Sequence, residues 1–151
     1  MTTFDQLHII PPLKKSLLEQ GFHTPTPIQQ RTIPAILQGR DILGCAQTGS
    51  GKTAAYLLPI LQMLAPLPTS KKGTPYALVI APTRELALQI KSRCTHLSKY
   101  VNVQSEVLFG GVQTEQQIKK IQSHPIDLLI ATPGRLLDLI AKKHLSIKSP
   151  P

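Results

Sequence analysis

Residues 46–53 read Ala46–Gln47–Thr48–Gly49–Ser50–Gly51–Lys52–Thr53, and no other stretch restricts the fold of this chain so closely. A short apolar run, Ile42–Leu43–Gly44–Cys45, precedes it, and a helical pattern opening Ala54–Ala55–Tyr56–Leu57–Leu58 follows. Strand, glycine-rich turn, Lys-Thr and helix, in that order, form the setting of a phosphate-binding loop. Gly49 and Gly51 allow the backbone to curl so that successive N–H groups face one anion. A helix starting near Lys52 adds the positive end of its dipole, and the Lys52 ammonium reaches terminal phosphates. Thr53 offers a hydroxyl to the magnesium ion that accompanies a nucleoside triphosphate. The pattern G-x-x-x-x-G-K-[ST] is met except at its first position, where Ala46 replaces Gly.

The rest of the chain supplies the alternation that such a loop requires. Pro11–Pro12 with Leu13, Leu17 and Leu18, closed by Gly21, predicts a short amphipathic helix preceded by an extended arm carrying Phe4 and Asp5. Thr26 and Gln29 form a capping box around Pro27 for a second helix, which Pro34 should break or kink and Gly39 should end. The Pro- and Lys-rich segment 66–75 reads as a mobile loop. Ala77–Ala81 and Ile126–Ala131 read as buried strands, and Val101–Phe109 as a weaker one. Between and after them lie helices with Leu86, Ile90, Cys94 and Leu97 on one apolar side, with Ile118 and Ile121 behind a Thr114–Gln117 capping box, and with Leu136, Leu137 and Ile140. Nearly uniformly apolar strands alternating with helices predict an α/β fold, a parallel β-sheet with helices on both faces.

Charge and cysteine usage narrow the partners. Seventeen Lys and Arg against eight Asp and Glu give a formal charge of +9, which suits a polyanion, nucleic acid before membrane. The basic residues are scattered apart from the pairs Lys14–Lys15, Lys71–Lys72, Lys119–Lys120 and Lys142–Lys143. No apolar run approaches the ~20 residues needed to span a bilayer, and no leader pattern precedes the first helix. Cys45 and Cys94 show no metal-ligand spacing, so reduced thiols in a cytoplasmic protein are expected.

In an open parallel sheet, ligands collect at the carboxyl ends of the strands. Four segments leave a strand there: the phosphate loop, Pro82–Thr83–Arg84–Glu85, Phe109–Gly110–Gly111 and Thr132–Pro133–Gly134–Arg135. Two of them combine a Thr cap, a helix N-terminus and an Arg, which suits a second phosphate-bearing ligand.

Taken together and in order, these residues resemble the first RecA-like domain of the DEAD-box RNA helicases. The resemblance runs from Phe4 to about Lys143. It comprises Phe4, seventeen residues ahead of Gly21; the Q motif Gly21–Gln29; motif I, Ala46–Thr53; Pro82–Ala87; Gly110–Gly111; and Thr132–Arg135. In that family the phosphate loop begins with Ala, as at Ala46. The resemblance implies ATP or ADP with Mg2+ as cofactors and adenine recognition by Gln29, with Phe4 against the base. It also implies a sequence-independent track for single-stranded or short duplex RNA formed by Thr83, Arg84, Gly110, Gly111, Thr132, Gly134 and Arg135. A Gln29 that merely caps its own helix is the competing local reading.

Hydrolysis requires one carboxylate for magnesium and another for the attacking water. The eight acids are Asp5, Glu19, Asp41, Glu85, Glu106, Glu115, Asp127 and Asp138, and none ends an apolar strand with a side chain suited to that task. The family's Asp-Glu-Ala-Asp motif would follow beyond Pro151. Residues 1–151 are therefore expected to be part of a helicase ATP-binding domain with its Q segment in residues 1–30 and no second domain. Such a piece is expected to bind nucleotide through Lys52 and Thr53 but not to turn over alone, and to expose a sheet edge that invites self-association. A P-loop kinase or transporter-type ATPase would share the loop but not the Q or Thr-Pro-Gly-Arg segments; a self-contained binding module is the other class.

Overall fold

The computed structural model describes residues 2–47, 49 and 51–147. The chain forms two compact units, one of residues 1–67 with 93–102, the other of residues 68–92 with 103–151.

In the first unit, α1 spans Pro11–Glu19 with prolines in its first turn, and it buries Leu13, Ser16 and Leu17. The Ser16 hydroxyl bridges the carbonyls of Leu13 and Leu97, each at 2.8 Å, so its burial leaves no polar group unmet. Gly21 ends the helix at φ +83°, and the Phe22 N–H returns to the Leu17 carbonyl at 2.9 Å, a left-handed cap that favours glycine. The segment before α1 is a closed turn, not the expected extended arm. The N–H groups of Leu7 and Ile9 both donate to the Phe4 carbonyl, and Phe4, Leu7 and Ile9 are buried. Gln62 fixes this turn by donating to the His8 carbonyl and accepting from the Ile10 N–H.

Helix α2, Pro27–Leu37, continues through Pro34, which lies inside it. Proline removes one N–H and crowds the preceding turn, but here only three residues follow it in the helix, and Gly39 at φ +81° provides the stop. Helix α3 spans Lys52–Leu64 and packs on α2, with Leu57, Leu58 and Leu61 completely buried. The apolar run Ile42–Cys45 forms no strand among the described residues. Leu43 is 94 % exposed. A strand exists through hydrogen bonds to a neighbour, and this run has no backbone partner among the described residues.

The second unit contains the sheet. β1 is Ala77–Ile80, β2 Ser105–Leu108 and β3 Leu128–Ala131. They are parallel in the order β1-β3-β2, with Ala77 and Ser105 both level with Leu128. All of β3 is buried, as expected of a central strand. β1 is less buried than its sequence predicts, and Ile80 is 56 % exposed, because β1 occupies an edge. Helix α4, Arg84–Leu97, has residues 84–92 in this unit and the rest in the first; Ala87, Ile90, Cys94 and Leu97 are buried, whereas Leu86 lies off that face. Helices α5, Thr114–Ser123, and α6, Pro133–Ala141, cover one core in which Ile121, Leu136 and Leu139 meet Leu108 and Leu129. In α6 the inward residues are Leu136 and Leu139, and Leu137 is exposed.

Segment 66–75 is not the open loop its composition predicts. Lys71 and Thr74 form an antiparallel bridge around Gly73 at φ +77°. Ser70 is buried and donates its hydroxyl to the Ile126 carbonyl at 2.8 Å. The Asp127 carboxylate takes the Ser70 N–H at 3.0 Å and the Gln104 N–H at 2.9 Å.

Candidate functional site

The phosphate loop enters α3 through left-handed glycines, Gly49 at φ +82° and Gly51 at φ +88°, a conformation that L side chains rarely adopt. Thr48 and Ser50 lie outside the described residues. Lys52 opens the helix and is exposed. Thr53 follows it. Burial raises the Tyr56 phenol above its usual range, with the Thr53 hydroxyl acting in the opposite sense.

Gln29 is completely buried and serves two elements at once. Its Oε1 accepts the Thr26 N–H at 3.0 Å, closing the α2 cap, and its Nε2 donates to the Gly51 carbonyl at 3.2 Å. A side chain at residue 51 is excluded twice over, because its Cβ would stand 2.5 Å from Gln29 Nε2 and the backbone is left-handed. Thr26 Oγ1 is buried beside Gly51 without a hydrogen-bond partner among the described residues. An open cleft of about 460 Å³ is lined by Thr26, Pro27, Ile28, Arg31, Cys45, Ala46 and Gly49, a size within the usual range for small ligands. The left-handed turn, the exposed ammonium and this cleft fit a nucleoside diphosphate. Magnesium at a phosphate loop takes most of its ligands from phosphates and water, and the described residues hold no cluster of three carboxylate, His or Cys side chains. Phe4, expected against the base, is 5 % exposed in its own turn and is not among the residues lining the cleft.

In the second unit, the remaining predicted residues gather at the carboxyl ends of the three strands. Thr83 caps α4, its Oγ1 accepting the Leu86 N–H at 3.2 Å. Arg84 lies over the Phe109 ring at 4.9 Å, and its Nη1 stands 3.8 Å from where a Cβ on Gly111 would be. Arg135 donates from Nη1 to Gln117 Oε1 at 2.9 Å and from Nη2 to the Val112 carbonyl at 3.0 Å. Gln117 in turn donates to the Phe109 carbonyl at 2.9 Å. Segments 83–84, 109–112 and 132–135 are thus tied into one surface by side chains that cross between them. Gly110 and Gly134 have no neighbour within 4 Å of a would-be Cβ, and Gly111 sits at φ +85°. Thr132 precedes α6, and its carbonyl accepts the Leu136 N–H.

Sequence reasoning missed the bracing roles of Gln117 and Phe109. Gln117 reads as the partner of Thr114 in a capping box, yet Thr114 is already the first helical residue and Gln113 the cap. Burial of Gln117 at 3 % on a helix otherwise rich in Lys and Gln is the signal for its second role, but it is a tertiary one.

A three-stranded parallel sheet and a left-handed glycine turn feeding a helix that begins Lys-Thr place the chain among RecA-like α/β domains. The DEAD/DEAH box helicase family model matches residues 26–149, and the chain belongs to that family. It is 44 % identical over 144 residues to the probable ATP-dependent RNA helicase ddx27 of Dictyostelium discoideum, covering 95 % of this chain and 18 % of that protein. It is 41 % identical to the ATP-dependent RNA helicase SrmB of Escherichia coli, covering 99 % of this chain and 33 % of SrmB. Among solved structures, the RNA helicase Prp28 of Chaetomium thermophilum bound to ADP superposes with a TM-score of 0.87 at 37 % identity, over 98 % of this chain and 36 % of that one. The chain spans roughly a fifth to a third of the length of these relatives. No described helix is long and apolar enough to cross a membrane.

Proposed function

We propose that residues 1–151 are part of the first RecA-like domain of an ATP-dependent DEAD-box RNA helicase, cytoplasmic, binding ATP or ADP with Mg2+ and supplying part of the RNA surface. In the whole protein, nucleotide hydrolysis is coupled to RNA remodelling. The observation that carries the nucleotide part is the Gln29 bond to Gly51, which joins the Q segment to the phosphate turn within one unit. Lys52 and Thr53 take the phosphates and their magnesium, and the backbone of residues 46–51 (Ala46, Gln47, Thr48, Gly49, Ser50, Gly51) wraps them.

Gln29 retains one N–H and one lone pair beyond the two bonds it makes, but it is completely buried and does not line the cleft, so adenine recognition by Gln29 requires its amide to become accessible to the base. Gln29→Ala is expected to lower the preference for ADP over GDP about five-fold, the worth of roughly 1 kcal/mol of hydrogen bonding. Titration calorimetry with both nucleotides decides this. Earlier melting with unchanged preference would leave Gln29 as a cap and loop brace alone.

The RNA track proposed here is Thr83, Arg84, Gly110, Gly111, Thr132, Gly134 and Arg135. Both arginines already brace neighbouring segments, so their two roles separate by salt dependence. Arg84→Ala and Arg135→Ala are each expected to weaken single-stranded RNA binding. Removing a cation that neutralises a phosphate also flattens the slope of log affinity on log salt by about 0.7, whereas removing a brace leaves the slope alone. If neither variant changes affinity, the track is wrong. The outer edge of β1, which pairs only with β3 among the described residues, further supports pairing with a second copy; a monomer at every concentration in sedimentation equilibrium would exclude it.

A further inference from the structure

Three of the four lysine pairs that look scattered in the sequence converge at the amino ends of the strands in the second unit. The turn carrying Lys71 and Lys72 leads into the start of β1, while α5 and α6 both begin at the carboxyl edge and run back. Lys119 therefore lies just past the middle of α5, with Lys120 in its last turn, and Lys142 and Lys143 close α6. Two contacts join these pieces. The Ser146 N–H donates to the Gly73 carbonyl at 2.8 Å. A Cβ on Gly73 would lie 2.9 Å from the His144 carbonyl oxygen and 4.0 Å from Ile121 Cγ2. The positive φ of Gly73 and of Lys143, +77° and +64°, turns both lysine-bearing segments sharply at this meeting point.

The resulting surface is more basic than any local role of its lysines accounts for. Lysines at the ends of α5 and α6 offset the negative helix termini, but Lys71 and Lys72 are on no helix and so gain nothing from such an effect. The nearby acids are few and occupied. Asp138 pairs with Lys142 at 3.3 Å, Glu106 with Lys120 at 3.5 Å and His124 at 3.8 Å, and Asp127 is buried against backbone N–H groups. Lys71, Lys72, Lys119, Lys142 and Lys143 are exposed. Tyr76, 44 % exposed, adds an aromatic ring at the base of the lysine turn, its hydroxyl donating to the Pro68 carbonyl at 2.8 Å.

We infer that this surface is a second contact for nucleic-acid phosphates, at the end of the strands opposite Arg84 and Arg135, with Tyr76 available to stack a base. An acidic peptide would match the charge, but an exposed aromatic ring beside the lysine turn favours an RNA strand. The lysine surface shares no residue with the carboxyl-edge track, so variants of each separate the two.

The test compares the 151-residue chain with a variant carrying Lys71→Gln, Lys72→Gln, Lys142→Gln and Lys143→Gln, using polyadenylate as the probe. The variant is expected to bind roughly tenfold more weakly at about 50 mM salt, with the salt slope flattened by about 0.7 for each phosphate no longer neutralised. Its ADP affinity should be that of the wild type, and its melting temperature only slightly lower, because Lys142 and Lys143 offset the α6 terminus and Lys142 pairs with Asp138. Lys71→Gln with Lys72→Gln alone, which touches no helix, should give about half the loss in log affinity and guards against a folding defect in the larger variant. Arg84→Ala with Arg135→Ala should add to the loss, since it removes a different surface. Unchanged affinity and slope in the lysine variants would overturn the inference. So would intact polyadenylate binding accompanied by loss of polyglutamate binding, which would make the surface a site for acidic protein.

Discussion

Lys52→Ala is expected to abolish measurable ADP binding while leaving the fold intact or slightly steadier. Lys52 is exposed at the start of α3, and no acid stands in the first turn of that helix. A cation at a helix N-terminus is unfavourable by a few tenths of a kcal/mol, so the empty protein loses nothing when it is removed. Bound phosphates reverse the balance, since the ammonium then makes charge-assisted hydrogen bonds worth about 1.5–3 kcal/mol each. One or two such bonds correspond to a loss of roughly tenfold to a thousand-fold or more. Titration calorimetry should therefore show binding by the wild type and none by the variant, and the variant should melt at the same temperature or about a degree higher. Equal affinity in both proteins would remove the phosphate loop from the assignment. A variant that melts far earlier would give Lys52 a structural role in place of a purely ligand-binding one.

What could be read from the sequence in advance was whatever rests on a local constraint. Gly49 and Gly51 were legible because the phosphate-loop pattern demands left-handed backbone, and both adopt it. The starts of α1 and α2 were legible because prolines in a first turn and Thr26 with Gln29 act within a few residues of themselves. The central strand β3 was legible because Leu128, Leu129, Ile130 and Ala131, an unbroken apolar run, have nowhere to go but a buried position. The misreadings share a tertiary cause. Leu86 and Ala87 fit a helical period equally well, and only packing decides that Ala87 turns inward. Ile42–Cys45 looks like a strand because strand propensity is local while strand existence depends on a partner. Segment 66–75 has the composition of a loose loop, but its order comes from Ser70 and Gly73 meeting residues distant in sequence, Ile126 and Ser146.

The same division runs through the site. Residue types at Arg84, Gly110, Gly111 and Arg135 led to the expectation of an anion-binding edge, but not to the contacts that Arg135 makes with Gln117 and Val112, or Arg84 with Phe109. Those contacts make the edge a pre-formed surface in place of independent loop tips. Gln29 shows the converse: the cap and the base reader appeared as competing local readings, and the bond to Gly51 adds a third task that no spacing rule signals.

Asp127→Ala is expected to destabilise the second unit as much as truncating a core leucine, and the reason is what the carboxylate leaves behind. Asp127 is 6 % exposed, and its two oxygens take the N–H groups of Ser70 and Gln104. Its own backbone carbonyl accepts from Tyr76 and Ala77, and its N–H donates to the Gln104 carbonyl. One residue thus fastens the Lys71–Thr74 turn, the approach to β2 and the first residue of β1. Alanine keeps the backbone bonds but strands two N–H groups, one of them on the buried Ser70, at about 1–3 kcal/mol each. The total, roughly 2–6 kcal/mol, is a large share of the ~5–15 kcal/mol typical of a domain. Asparagine is a sharper probe, because it keeps the volume and one acceptor but turns an NH2 group toward a backbone N–H. Denaturant titration should place Asp127→Asn between alanine and wild type, and hydrogen exchange should show faster exchange at Ser70 and Gln104 first. A shift below about 1 kcal/mol for alanine, with those two amides still protected, would show that the turn is held by the Ser70 hydroxyl and Gly73 contacts without the carboxylate.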